Sequence, residues 1–236
     1  MRTPRPSRTR RSTRTAGRHD GLTTRQQLLE AAGQVFAEHG YARATSKEIC
    51  ARAGANAAAV NYHFGGKDGL YAAVLEEAHD RLVSLDMLAA TGQGDVDPRK
   101  KLRSLLTRLF GEIASRGAGG WELRVLGREV IAPSPMMDAL LTHQIAPKAK
   151  YVRTIIAQIM RVPVDHPAVS RSVINLLGPV VFMVITSPAL QQKVAPDLQP
   201  APEALAEHMI SYALGGMQAV ARRARASRHQ ARLATR

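Results

Sequence analysis

Hydrophobic residues recur at intervals of three and four along most of the chain, and this spacing predicts α-helices. The first predicted helix starts at Thr23 or Thr24 and runs to about His39, where Gly40 ends it. Its apolar stripe is formed by Leu28, Leu29, Ala32, Val35 and Phe36. No stretch alternates at period two for long, so the pattern predicts an all-α fold.

Two short helical patterns flank a glycine within residues 45–67. Thr45 is a suitable cap for the first helix, and Gly54 can supply the left-handed residue that ends it. Asn56 is a suitable cap for a second helix that begins at Ala57. Two helices of about two turns joined by a glycine turn predict a helix-turn-helix, whose second helix would enter the major groove of DNA.

The pattern predicts a longer helix from Lys67 to about Leu88 and a Gly- and Asp-rich linker over 89–97. Further helices are predicted in the second half, with prolines or glycines between them, and 187–202 is predicted as a loop. These helices cover about 98–116, 121–131, 136–145, a segment restarting near Pro147 and ending at 160, 168–186 and 203–225.

The net charge of +14 is concentrated at the two ends of the chain. Residues 1–22 carry seven Arg and one Asp, and residues 221–236 carry six Arg and no acid, so the body between them is nearly neutral. This distribution favours a folded body with basic arms that meet polyanions, although such tails can also serve solubility alone.

Cys50 is the only cysteine, so no intrachain disulfide can form, which fits the reducing cytoplasm. We expect Cys50 to be buried, and redox sensing is the alternative. No apolar run reaches the roughly 18 residues expected of a membrane-spanning helix. The longest candidate, 173–185, contains Pro179. The Arg-rich start is not followed by the apolar segment of a secretory signal.

A long ordered set of residues carries a family resemblance. The stretch LLEAAGQVFAEHGYARATSKEICARAGANAAAVNYHFGGKDGLYAAVL, residues 28–75, resembles the N-terminal DNA-binding domain of TetR-family transcriptional repressors. The matching positions are Phe36, Gly40, Tyr41, Ala53, Gly54, Tyr62, His63, Phe64, Lys67 and Leu70. A set of this length is far more specific than a three-residue motif.

The resemblance implies roles for residues at the DNA surface. It places DNA phosphate contacts at Thr45, Ser46 and Lys67. The exposed start and face of the recognition helix are formed by Asn56, Ala57, Ala58 and Asn61. Tyr62 and His63 would contact the sugar-phosphate backbone of the DNA. Two alternatives stay open: partial packing of Tyr62 within the motif, and a helix-end hydrogen bond for His63. Metal binding by His63 lacks neighbouring ligands in the sequence.

The recognition helix is poor in long polar side chains. No Arg, Lys or Gln occurs between Ala55 and Phe64, so Arg–guanine readout from this helix is not expected. Asn56 and Asn61 are its only amides, and DNA shape and the Arg-rich arm would carry a larger share of recognition.

The second half resembles the ligand-binding and dimerisation domain of the same family. Its run REVIAPSPMMDALLTHQIAPK, residues 128–148, is similar to a TetR subgroup whose targets include efflux genes. The resemblance implies a four-helix dimer interface built from the last two long helices of each subunit.

The implied domains are an Arg-rich disordered arm (1–20), a three-helix helix-turn-helix DNA-binding domain (21–67), a connecting helix (68–88), a larger helical ligand-binding and dimerisation domain (89–225) and a basic tail (226–236).

Candidate residues for a ligand pocket combine apolar side chains with a few polar anchors: Trp121, Arg124, Arg128, Met136, His143 and Phe182. Plain core positions for Met136, Met137 and Phe182 are the competing interpretation. Arg128 and Glu129 can equally be exposed helix charges, or Glu129 can pair with a basic group near a pocket.

The predicted function is a ligand-responsive transcriptional regulator, a repressor, that binds a palindromic DNA operator as a homodimer and is released by a small-molecule effector. No Walker loop, G-x-S-x-G, H-E-x-x-H or dinucleotide motif is present, so we expect no enzyme, no cofactor and no metal. We also expect no membrane partner and a cytoplasmic location. The alternative is a non-specific architectural nucleic-acid-binding protein that uses its basic arms. Activation instead of repression stays open, because it depends on the operator's position.

Overall fold

A computed structural model describes residues 16–92, 96–116, 120–196 and 202–234, and every regular element in these ranges is helical. The helices are α1 (Ala16–Arg43), α2 (Ser46–Ala53), α3 (Ala59–Phe64), α4 (Lys67–Leu82), α5 (Leu85–Gly92), α6 (Pro98–Arg116), α7 (Trp121–Ile131), α8 (Met137–Leu140), α9 (Ala146–Met160), α10 (Pro167–Ile185), α11 (Pro188–Val194) and α12 (Pro202–Ala234). A single π-helical turn, Leu141–Ile145, joins α8 to α9. The all-α prediction is confirmed.

Helix α1 starts earlier than the sequence predicted. It begins at Ala16, ahead of Thr23, so residues 16–20 of the predicted disordered arm are helical, and residues 1–15 lie outside the described residues. The last proline of the arm is at position 6, so no proline interrupts a helix over this stretch. Gly40 has a positive φ of 74°, which breaks the helix near its end as predicted.

Serine caps create two short helices that the pattern missed. The predicted helix to Leu88 ends at Leu82, because the Ser84 hydroxyl accepts a hydrogen bond from the Met87 N–H and starts α5. Helix α5 therefore also occupies the start of the predicted linker. Ser187 likewise accepts from the Leu190 N–H and starts α11 inside the predicted loop.

Helix α12 extends to Ala234, beyond the predicted end at 225 and into the predicted tail. The restart predicted at Pro147 takes the form of the wide π turn followed by α9, with Pro147 in the first turn of α9. Proline is tolerated there because the first N–H groups of a helix have no intrahelical partner.

Two hydrophobic clusters form the core. The first combines α1 to α4 with α7, α8 and part of α6, and its members include Leu28, Phe36, Ile49, Val60, Leu75, Trp121 and Val125. The second combines α6, α9, α10 and α12 and includes Leu102, Leu106, Ile156, Met160, Val169 and Ile210. The helix-turn-helix therefore shares its core with α7, which comes from the second half of the chain.

Helix α10 is unusually apolar for its exposure. The helix has 19 residues, and its most apolar 18-residue stretch has a mean hydropathy of 1.8, yet only 22% of that stretch is buried. By length and composition this helix could cross a membrane. The sequence analysis did not identify it as a candidate, because no uninterrupted apolar run reaches about 18 residues. Its exposed apolar residues include Ile174, Leu177, Phe182 and Ile185.

Candidate nucleic-acid interface

The turn between α2 and α3 is built by local caps. The Thr45 hydroxyl accepts a hydrogen bond from the Glu48 N–H at 3.2 Å, and Gly54 takes the left-handed conformation with φ 63°. The Cys50 thiol is buried and lies 4.0 Å from the Ala57 carbonyl oxygen, beneath the turn. These features confirm the predicted turn and the predicted burial of Cys50.

The recognition helix α3 begins at Ala59 and not at Ala57. The Asn56 side-chain oxygen accepts from the Ala58 N–H at 2.9 Å, so residues 57 and 58 form a turn ahead of the helix. This Asx-type turn replaces the predicted cap geometry, and it uses one of the two lone pairs of the Asn56 oxygen, the atom that accepts from adenine in a bidentate contact. Among the amides predicted to read bases, Asn61 is the one placed on the helix itself.

Six of the nine predicted DNA-contacting residues are exposed, and the other three are half-buried. Tyr62 is 84% exposed, which places its ring outside the core. Its ring contacts His63 edge-on, with centroids 4.8 Å apart. Thr45, Asn56, Ala57, Ala58 and Asn61 are exposed, and Ser46, His63 and Lys67 are half-buried.

Lys67 is engaged within the protein. Its ammonium donates a hydrogen bond to the Ala44 carbonyl oxygen at 3.0 Å and lies 4.6 Å from the centroid of the Tyr41 ring. The Tyr41 hydroxyl in turn donates to Asp68 at 2.6 Å. An ammonium has three donors, so Lys67 can hold the α1–α2 connection and still offer an N–H group to a phosphate.

Three exposed basic residues near the predicted contact residues were missed by the sequence reasoning. Lys47 follows Ser46 at the start of α2, and Arg43 precedes Thr45 with its guanidinium on the His39 carbonyl oxygen at 3.3 Å. The Arg25 guanidinium lies 5.0 Å from the centroid of the Phe64 ring. The signal for Arg43 and Lys47 in the sequence was positive charge next to Thr45, whereas Arg25 lies far ahead of the motif and carries no such signal.

Glu38, His39 and Glu48 bring their side-chain ligand atoms within 4.8 Å of one another. The Arg52 guanidinium already occupies this cluster, with hydrogen bonds of 2.8 and 2.9 Å to the Glu38 carboxylate. The cluster therefore forms an ion-pair network on the outer side of α2.

Three of the predicted pocket residues instead bind α7 to α1. Trp121 is buried against Gly33, and its indole N–H donates to Glu30 at 3.1 Å. The guanidinium groups of Arg124 and Arg128 donate to the Ala37 carbonyl oxygen at 3.1 and 3.0 Å. Arg128 also reaches the Glu38 carbonyl oxygen at 3.2 Å. Helix α7 thus satisfies backbone acceptors near the end of α1.

The other three predicted pocket residues lie apart. Met136 packs half-buried against the first cluster, His143 is exposed in the π turn and Phe182 is 38% exposed on α10. The structure does not gather the six residues around one cavity, and the ligand pocket stays a prediction.

An open cleft of about 170 Å³ lies between α1, α4 and the π turn. Its lining includes Glu76, Glu77 and Asp80. Beside it, the buried Lys148 ammonium lies 3.0 Å from His79 Nδ1 and donates to Asp80 at 3.1 Å and Gln144 at 2.9 Å. Burial and the neighbouring Lys148 charge lower the pKa of His79 to about 4.

His79 predicts an acid-sensitive stability. An unfolded histidine takes up a proton below a pH of about 6.5, whereas the folded form stays neutral to about pH 4, so stability is lost as pH falls through this window. Between pH 6.5 and 5, the native protein should lose about 1.5 kcal/mol more free energy of unfolding than a His79→Gln variant. Urea unfolding at several pH values measures the difference, and parallel curves for the two proteins would contradict it.

Comparison with known proteins now identifies the chain. Residues 28–74 match the family described as bacterial regulatory proteins, tetR family. Residues 98–217, more than half of the chain, match the C-terminal domain of the HTH-type transcriptional dual regulator CecR. The chain belongs to the TetR family. The two matches correspond to the N-terminal helix-turn-helix and to the helical C-terminal domain of the structure.

Individual TetR-family proteins show how far the similarity extends. The regulator TtgR of Pseudomonas putida is 34% identical over 99 residues, which are 41% of this chain and 45% of TtgR. The repressor AcnR of Corynebacterium glutamicum is 37% identical over 62 residues, 26% of this chain and 33% of AcnR. The chain thus matches less than half the length of these curated relatives.

The fold is shared over a greater length. The structure of AibR in complex with isovaleryl coenzyme A and operator DNA has a TM-score of 0.62 to this chain at 18% identity. The superposition covers 80% of this chain and 97% of AibR.

Proposed function

We propose that this TetR-family regulator is a repressor that binds a palindromic operator as a homodimer and leaves the DNA when a small molecule binds its second domain. The observation that carries the proposal is the accessible face of α3, where Asn61 and the 84% exposed Tyr62 face away from the core. Residues 21–67 would contact DNA, 68–88 would connect the domains, and 89–225 would bind the ligand and form the dimer.

The exposed faces of α10 and α12 support the homodimer. Ile174 is 69% exposed on α10 and Tyr212 is 76% exposed on α12, with Leu177 and Val220 also accessible. A second copy that covers both helices would form a four-helix interface and remove this apolar surface from water. The same pairing accounts for the apolar helix α10 without a membrane, in a protein that works in the cytoplasm.

A symmetric dimer explains operator recognition. Two α3 helices separated by about 34–36 Å would enter successive major-groove turns of a palindrome. The few base-reading side chains of α3 leave much of the affinity to phosphate contacts from Thr45, Ser46 and Lys67. Such contacts make binding strongly salt-dependent. The Arg-rich arm is proposed to add to them.

Binding of a small molecule and repression are each supported by a protein that resembles this chain. AibR was crystallised with both a coenzyme A thioester and operator DNA, and AcnR is a repressor. A ligand that binds one dimer shape better than the other shifts the population toward that shape. If that shape has the wrong separation of recognition helices, the operator is released.

Selection of bound sequences from random DNA tests the proposal. The native protein should enrich an inverted repeat, and Asn61→Ala should change the bases preferred in each half-site. Ile174→Asp, on the exposed face of α10, should weaken binding to the selected palindrome at least about tenfold by opposing dimerisation. Enrichment without an inverted repeat, equal for all three proteins, would favour the architectural alternative.

A further inference from the structure

A buried carboxylate joins α4 to the turn that follows α7. Glu129 is 1% exposed, and one of its oxygens accepts a hydrogen bond from the Tyr71 hydroxyl at 2.8 Å. Its other oxygen accepts from both the backbone N–H and the hydroxyl of Ser134, each at 2.8 Å. We name Tyr71, Glu129 and Ser134 the Glu129 latch. It connects the helix after the helix-turn-helix to the second domain.

The positions of the hydrogen-bond donors in the Glu129 latch are restricted on both the Ser134 side and the Tyr71 side. Ser134 lies between Pro133 and Pro135, whose rings restrict the backbone of the turn. Burial and the hydrogen bond to Glu129 raise the pKa of Tyr71 above its ordinary value, so its hydroxyl remains a donor. A buried carboxylate tolerates the loss of these donors poorly, so the latch favours one fixed arrangement.

Aromatic contacts continue from the latch to the start of α2. The Tyr71 ring lies 4.9 Å from the Tyr41 ring, centroid to centroid, and 4.6 Å from the Phe36 ring. Tyr41 carries the Lys67 ammonium on its face, and Lys67 donates to the carbonyl oxygen of Ala44, just before the Thr45 cap. Packed contacts thus run without a gap from the second domain to the helix-turn-helix.

We infer that Glu129 is a positioning residue for operator recognition: through Tyr71 it fixes the helix-turn-helix relative to the second domain. In the dimer, the position of each helix-turn-helix relative to its second domain sets the separation of the two recognition helices. The inference rests on the proposed palindrome-binding homodimer. A ligand that displaces the turn 132–135 removes two of the three donors from the carboxylate, so the turn and α4 are coupled.

Comparing a palindrome with an isolated half-site tests the inference. A half-site depends on α3 and its phosphate contacts, whereas a palindrome also depends on the separation of the two helices. Tyr71→Phe removes one hydroxyl and leaves a buried acceptor without its donor. It should weaken palindrome binding about tenfold and leave half-site binding unchanged. Tyr41→Phe is the matched control, because it removes a hydroxyl bond within the DNA-binding domain and keeps the ring beneath Lys67.

A conservative variant separates positioning from damage to the core. Glu129→Gln keeps an acceptor for Ser134 and an amide that can donate to the Tyr71 oxygen, so its palindrome affinity should stay within about threefold of the native value. Glu129→Leu should behave like Tyr71→Phe. Equal losses on palindrome and half-site, or no loss on either, would overturn the inference.

Amide hydrogen exchange in the DNA-free protein tests whether the Glu129 latch affects the helix-turn-helix. Amides of α2 and α3 should exchange faster in Tyr71→Phe than in Tyr41→Phe, together with the Ser134 amide. Faster exchange confined to residues near 129–137 would overturn the inference. If the native protein prefers no palindrome, the homodimer proposal fails, and the exchange result still decides whether the latch reaches the helix-turn-helix.

Discussion

Replacing Gly69 with alanine is expected to abolish operator binding and to lower the free energy of unfolding by about 3 kcal/mol. A Cβ at this position in α4 would lie 2.0 Å from the carbonyl oxygen of Phe64, the last residue of the recognition helix. The obstructing atom belongs to the backbone, so no side-chain rotation can relieve the contact. Helix α3 would have to move away from α4, taking Asn61 and Tyr62 with it.

Gly111 supplies the matched control for this substitution. It lies within α6, and a Cβ there would meet no atom within 4 Å. Gly111→Ala should stabilise the protein by about 0.5–1 kcal/mol, because alanine favours the helix over glycine. Urea unfolding and fluorescence anisotropy with operator DNA measure both variants. Native affinity in Gly69→Ala would show that the α3–α4 junction tolerates the added methyl group.

Replacing Glu122 with glutamine is expected to lower the free energy of unfolding by about 3 kcal/mol. The Glu122 side chain is 5% exposed, and one of its oxygens accepts hydrogen bonds from Arg81 at 3.0 Å and Arg116 at 2.5 Å. Arg81 also binds Glu30 and Glu77, so the network joins α1, α4, α6 and α7. Loss of the buried charge leaves two guanidinium groups close together with one carboxylate fewer.

An exposed ion pair provides the comparison for Glu122. Arg103 and Glu207 pair on the surface between α6 and α12, with about half of each side chain accessible. Glu207→Gln should change stability by less than about 1 kcal/mol, because water screens such pairs. Similar effects of the two substitutions in urea unfolding would mean that the Glu122 network contributes no more than a surface pair.

Local caps explain which parts of the fold were predictable from the sequence. Thr45 and Gly54 act on neighbouring backbone groups, so the sequence alone locates the turn of the motif. The additional helices α5 and α11 depend on single serine caps in short segments with little periodicity. Such signals are weak against the Gly, Asp and Pro residues around them.

Contacts between distant segments explain what the sequence could not supply. Arg124 and Arg128 were candidates for a ligand pocket because arginine is a common polar anchor, yet they donate to carbonyl oxygens of α1. Glu129 was interpreted as an exposed charge or a partner for a basic group, and its donors are Tyr71 and Ser134. The partner of each group is fixed by how α7 packs on α1 and α4. The hydrophobic spacing of each segment predicts a helix, but it does not specify which helix packs against it.

Because Cys50 is buried under the α2–α3 turn, chemical labelling of its thiol can report how often the helix-turn-helix opens. The Cys50 sulfur faces the Ala57 carbonyl oxygen under the α2–α3 turn, and the chain has no other thiol. An alkylating reagent can reach this sulfur only after the turn separates from α2. The rate of covalent labelling therefore reports opening events that expose Cys50, and bound DNA that holds the turn closed would slow it.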